Sequence, residues 1–78
     1  METINLLYFG IISEICDRNS EEISFSGSIS DLRDFLIKKY PALLHEKYQV
    51  AINQEISLMT DVVVTGDEVA LLPPFTGG

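Results

Sequence analysis

The chain has 78 residues, 46% of them hydrophobic, which suits one compact domain with a real but modest core. A net charge of −7 with five scattered basic residues disfavours nucleic acid as a partner, while an acidic surface suits either plain solubility or a partner with a basic face. The single cysteine leaves no internal disulfide, no apolar run approaches the ~20 residues of a membrane span, and without a cationic start leading into an apolar stretch the expected location is the cytoplasm.

In chain order, residues 4–9 (Ile-Asn-Leu-Leu-Tyr-Phe) are β-favouring and stop at Gly10, which predicts a first strand. With Asn5 towards solvent, Leu7 and Phe9 share its face, and Ile4, Leu6 and Tyr8 line the core. Residues 11–16 are apolar but short and run into the turn-like Asp17-Arg18-Asn19-Ser20, so a loop or one helical turn is expected there. Residues 22–26 alternate cleanly and predict a second strand, closed by Gly27 and paired with the first as a hairpin.

Ser28 is placed to cap a helix, with Asp31 favouring its positive end. Ile29, Leu32, Phe35, Leu36 and Tyr40 then recur at helical spacing, opposite Asp31, Arg33, Asp34 and Lys38. Lys38 and Lys39 suit the end of this one amphipathic helix, Pro41 stops it, and residues 42–47 are expected to add a short turn. Residues 48–52 predict a third strand, Asn53-Gln54-Glu55 a tight reversal into residues 56–59, and Val62-Val63-Val64 a brief strand. Thr65-Gly66-Asp67 is a turn into a final strand over residues 68–72, where Glu68 outward puts Ala70 and Leu72 on its face and Val69 and Leu71 in the core. The order predicts an α+β roll of two layers, one sheet face covered by the helix and the other open.

Conventional catalytic groups are scarce. Cys16 and His45 have no spacing that implies a dyad, one of each makes no metal site, and adjacent Asp67 and Glu68 point to opposite faces of a strand rather than pairing as acid and base. The special group is the tail, Pro73-Pro74-Phe75-Thr76-Gly77-Gly78: prolines stiffen its base, glycines thin its tip, and extended it reaches roughly 20 Å. The expected organisation is therefore a domain over residues 1–72 and a tail over 73–78 whose α-carboxylate, on Gly78, is the group a partner enzyme would activate. Outward Leu7, Phe9, Ala70 and Leu72, with Ile56 after the reversal, are expected to merge into one apolar partner surface at the tail's base.

The tail preceded by Gly66-Asp67-Glu68-Val69-Ala70, together with Val50-Ala51-Ile52-Asn53-Gln54-Glu55, Tyr40-Pro41-Ala42-Leu43 and Tyr8-Phe9, resembles the sulfur-carrier small subunits of molybdopterin synthase, of the ThiS-type ubiquitin-like family. The resemblance spans essentially the whole chain and implies a β-grasp fold. It also implies that an ATP-dependent, E1-like activating enzyme adenylates Gly78 and that sulfur replaces the adenylate. The thiocarboxylate then enters the large subunit and donates sulfur to cyclic pyranopterin monophosphate, with Gly77 as slender spacer and no cofactor held by the carrier. Leu71-Leu72 and Phe75 depart from the family's usual aromatic and aliphatic choices and bear on partner contacts rather than chemistry. The competing readings are a thiamine-pathway or tRNA-thiolation carrier and a non-covalent ubiquitin-like module with an inert tail.

Overall fold

The structure is a computed structural model that describes residues 3–73. Seven strands, two α-helices and a 3-10 helix follow one another as β1 (Ile4–Tyr8), α1 (Ile11–Cys16), β2 (Ser20–Ile23), β3 (Gly27–Ser28), α2 (Ile29–Lys39), the 3-10 helix (Pro41–His45), β4 (Gln49–Ile52), β5 (Glu55–Ile56), β6 (Val62–Val63) and β7 (Glu68–Leu72). Five strands form a mixed sheet in the order β2-β1-β7-β4-β5, and β3 and β6 form a separate two-stranded ribbon. The first and last strands are central and parallel, with Leu6 opposite Val69 and Tyr8 opposite Leu71. One main helix covers one sheet face, which is the α+β roll that the sequence predicts and the β-grasp arrangement.

The core follows from the strand alternation. Ile4, Leu6 and Tyr8 on β1 and Val69 and Leu71 on β7 are all at most 2% exposed, and they pack with Ile29, Leu32 and Leu36 from α2. Helix α2 starts where the sequence places it: the Ser28 side chain accepts the Asp31 N–H at 3.1 Å, supplying one of the partners a first turn lacks. Phe35 is not a core residue, however. It lies 38% exposed beside Phe25, ring centroids 5.8 Å apart, on the rim of the helix face.

Three local expectations are corrected. Residues 11–16 form a helix of six residues, because Ile12 and Cys16, four apart, both reach the core, and Asp17 ends it in the left-handed region at φ 56°. The second strand runs from Ser20 to Ile23 rather than over residues 22–26, since pairing Ile4 with Ile23 and Leu7 with Ser20 leaves Phe25 outside the sheet. Gly27, expected to close that strand, opens β3 opposite Val63.

The offset of β2 has a cause in Glu21. It sits opposite Leu6, on the core face, with its side chain only 7% exposed. Its Oε1 accepts hydrogen bonds from the Tyr8 hydroxyl at 2.8 Å and the Tyr40 hydroxyl at 2.9 Å, and its Oε2 accepts from Arg18 at 3.0 Å and from Lys39. One carboxylate thus fastens β1, β2 and the C-terminal end of α2 together. Burial pushes Glu21 towards protonation, but the hydrogen bonds from Lys39, Tyr8 and Tyr40 outweigh it and hold the group below the ordinary carboxylate range. Burial first and the Glu21 hydrogen bond second push Tyr40 up to about 12 and Tyr8 higher still.

A carboxyl depressed in the folded state stabilises the fold above its unfolded pKa of about 4.3, and the contribution is lost as pH falls through the folded value. Denaturant titrations should show the wild-type protein losing stability below about pH 4. Glu21→Ala, which leaves the Tyr8 and Tyr40 hydroxyls without their acceptor, should cost about 2–4 kcal/mol at pH 7 and flatten that acid limb.

Candidate functional site

Because β7 is central, its end delivers the chain to the middle of one sheet edge. Pro73 is the last described residue, and it lies against Gly10: a Cβ at that glycine would meet the Pro73 ring at 3.1 Å. Gly10 has φ 59° and ψ −136°, a conformation suited to glycine, and it turns the chain from β1 into α1 just beside the root of the tail. The ladder continues to this point, the Phe9 N–H donating to the Leu71 carbonyl at 3.2 Å. Of the predicted tail, Pro74, Phe75, Thr76, Gly77 and Gly78 lie outside the described residues.

The register assembles the residues expected on the open face. Leu7 pairs with Ala70, Ala70 with Ala51, and Ala51 with Ile56, so one apolar row crosses β1, β7, β4 and β5. Leu72 pairs with Gln49 one step nearer the tail. Phe9 is 44% and Ile56 60% exposed, whereas Leu7, Ala70 and Leu72 are half-buried. The adjoining row is polar, with Asn5 between Glu22 and Glu68. An apolar band edged by acids therefore leads to Pro73.

Ala51, only 4% exposed in the middle of this row, is the member that sequence reasoning missed. Its signal was available, because outward Gln49 places Ala51 on the same face by simple alternation. By sequence Gly10 marks only the end of a strand. Its contact with Pro73 depends on the parallel β1–β7 pairing, which no local pattern specifies.

The turn ahead of β7 is knitted by Asp67 rather than carrying free charges. The Asp67 carboxylate accepts from the Val64 N–H at 2.9 Å and from the Asn53 amide at 3.0 Å, while the Asn53 side-chain oxygen accepts the Glu68 N–H at 3.0 Å. This couples the β4–β5 reversal, where Asn53 and Gln54 both take positive φ, to the start of the last strand.

Of the two candidate catalytic side chains, Cys16 is withdrawn from solvent and His45 is not. Cys16 is 2% exposed, and burial, helped by the Glu21 charge, pushes its thiol up to about 11, so it carries little thiolate at neutral pH. His45 is exposed on the 3-10 helix. Among the described residues no three His, Cys, Asp or Glu side chains gather as a metal site would need, and no helix is long and apolar enough to cross a membrane.

Comparison with known proteins accords with this geometry. The sequence profile described as the ThiS family matches residues 6–78. The chain belongs to that family. This ThiS-family chain is 39% identical over 83 residues to the molybdopterin synthase sulfur carrier subunit of Mycobacterium tuberculosis (strain ATCC 25618 / H37Rv), a match spanning 100% of both chains. Small archaeal modifier protein 1 of Haloferax volcanii superposes with a TM-score of 0.80 at 22% identity, covering 95% of this chain and 99% of that one. The protein of the same name from Methanosarcina acetivorans gives a TM-score of 0.81 at 20% identity, with 100% and 98% covered. These two structures speak for the fold, which is ubiquitin-like.

The register makes a direct prediction. Phe9→Asp and Ile56→Asp, on the open face, should each change the unfolding free energy by less than about 1 kcal/mol, whereas Leu71→Asp, one step along β7 from Leu72, should prevent folding. Urea titrations followed by circular dichroism distinguish the two classes, and the opposite ranking would invert the face assignment.

Proposed function

We propose that this chain is a sulfur carrier of molybdenum cofactor biosynthesis, acting as the small subunit of molybdopterin synthase, with no catalytic centre of its own. The observation that carries the reading is the match to a sulfur carrier subunit over all of both chains, tail included. The apolar band that ends at Pro73 supports it, since a carrier must be held by its partners while its tail is used.

The reacting group is the α-carboxylate of Gly78. A carboxylate is a poor acyl donor, so an E1-like activating enzyme first lets its oxygen attack the α-phosphorus of ATP, releasing pyrophosphate and leaving an acyl adenylate. A sulfur nucleophile then displaces AMP and leaves a thiocarboxylate. In the large subunit the thiocarboxylate sulfur attacks a carbon of cyclic pyranopterin monophosphate, displacing an oxygen substituent from it and leaving a thioester to the carrier; hydrolysis of the acyl–sulfur bond leaves the sulfur on the pterin and restores the Gly78 carboxylate, and two such deliveries build the dithiolene. Gly77 keeps the approach narrow, while Thr76, Phe75, Pro74 and Pro73 set reach and stiffness. Tethering holds the sulfur at the acceptor instead of leaving it to diffuse. Leu7, Phe9, Ala70, Leu72 and Ile56 form the docking face for the large subunit and the activating enzyme, and these steps take place in the cytoplasm.

Appending one residue after Gly78 should abolish ATP–pyrophosphate exchange with the activating enzyme while circular dichroism stays unchanged, and Gly77→Val should fail likewise because a β-branched side chain stiffens and widens the tail. Continued sulfur transfer from the extended protein would count against Gly78. Phe9→Asp or Leu72→Asp should weaken partner binding more than tenfold, about 1.4 kcal/mol or more, with little change in thermal stability. Unaltered affinity in both would remove the docking face from the account.

A further inference from the structure

Away from the tail, a cavity of about 210 Å³ lies between α2 and the β4–β5 edge of the sheet and borders the open face at Ile56. Its walls are mostly apolar, with Ile29, Val50, Ile56 and Met59, and its hydrogen-bonding side chains are Arg33, Tyr48, Gln49 and Ser57, of which Arg33 alone is charged. The Tyr48 hydroxyl is buried and has no hydrogen-bond partner, alone in this among the described buried side-chain polar atoms. A phenol can donate one hydrogen bond, and leaving it unmet out of water is costly.

Arg33 lies with its guanidinium carbon 5.0 Å from the centroid of the Tyr48 ring, and one of its nitrogens contacts the Met59 sulfur at 3.5 Å. It takes part in neither of the ion pairs among the described residues, both of which belong to Glu21. On a chain of net charge −7, a guanidinium facing a cavity without a carboxylate partner is a local exception. The guanidinium lies over the face of the Tyr48 ring and does not meet hydrogen-bond geometry with its hydroxyl. The Ser57 hydroxyl donates to the Val50 carbonyl at 2.9 Å and does not partner the Tyr48 hydroxyl.

We propose that this cavity binds a small organic carboxylate on a short apolar stem, the carboxylate taking N–H donors from Arg33 and the O–H of Tyr48 while the stem lies against Ile29, Val50, Ile56 and Met59. The pairing is chemically specific. A guanidinium offers a planar fork that matches two carboxylate oxygens, and a phenol adds a third donor. The size fits as well, since an engineered cavity of roughly 150 Å³ with apolar walls takes up benzene. The occupant is therefore of the order of benzoate, and its binding does not involve the C-terminal tail.

The test uses the full-length protein labelled with ¹⁵N, titrated with benzoate and followed by amide shifts at Ile29, Tyr48 and Ser57. Benzoate should saturate these shifts with a dissociation constant of about 1 mM, and benzamide, the neutral isostere, should bind about tenfold more weakly or not at all. Tyr48→Phe should weaken benzoate about fivefold while leaving the melting temperature unchanged or raised, because it removes an unpaired buried hydroxyl. Arg33→Met should abolish benzoate binding with the fold intact. Equal binding of benzamide, an unchanged affinity in Tyr48→Phe, or no saturation would each overturn the proposal. So would binding of the blocked peptide acetyl-Ala-Glu-Ala-amide without benzoate binding, which would mark a contact for a partner's side chain instead.

Discussion

Parallel pairing of β1 with β7 at the centre of the sheet is the constraint on which the rest of the molecule depends. Parallel neighbours cannot be joined by a tight turn, so everything between Tyr8 and Glu68 is one long connection that must cross the sheet and return. Helix α2 makes that crossing and buries Ile29, Leu32 and Leu36 against Leu6, Val69 and Leu71. The same pairing fixes the function-bearing geometry. It brings Gly10 against Pro73, lines Leu7 up with Ala70, and releases the C-terminal segment from the middle of the sheet instead of from an edge. A slip of one residue would exchange the Leu6–Val69 core for the Leu7–Ala70 row and destroy both faces at once.

Glu21 secures the other end of that connection. A carboxylate facing the core is tolerable only when its lone pairs are satisfied, and here two tyrosine hydroxyls, a lysine and an arginine converge on it. The partners come from β1, from the start of β2's approach and from the end of α2, so the network sets the helix angle over the sheet while the apolar contacts supply most of the driving force. The division of labour leaves the opposite sheet face without a structural task. That is the face on which the proposed docking takes place.

Much of this was legible in the sequence where a pattern is local. The alternation in Ile4-Asn5-Leu6-Leu7-Tyr8 and in Glu68-Val69-Ala70-Leu71-Leu72 places each side chain on its face, and Ser28 with Asp31 marks the start of α2. What escaped was decided by distant partners. Glu21 falls just ahead of the strand predicted over residues 22–26 and carries no local signal, since its second phenol comes from Tyr40, 19 positions away. Phe35 reads as a core position by spacing, yet it pairs with Phe25 at the rim because β2 ends at Ile23. Strand β3 is two residues long, too short for any period to register, and it forms because it pairs with β6, the brief strand that Val62-Val63-Val64 does announce. Within the candidate site, the outward residues follow from alternation, whereas the abutment of Gly10 on Pro73 and the convergence of Arg33 with Tyr48 arise only in three dimensions.

The central claim is that the carboxylate of Gly78 carries sulfur, and intact-protein mass spectrometry of the chain purified from its own host under non-reducing, thiol-free conditions tests it most directly. The account predicts a population heavier by the replacement of one oxygen by sulfur, with tandem fragmentation confining the added mass to the C-terminal glycine and alkylation converting it to a thioester heavier by the alkyl group. A single species of unmodified mass, from cells actively making the molybdenum cofactor, would contradict it.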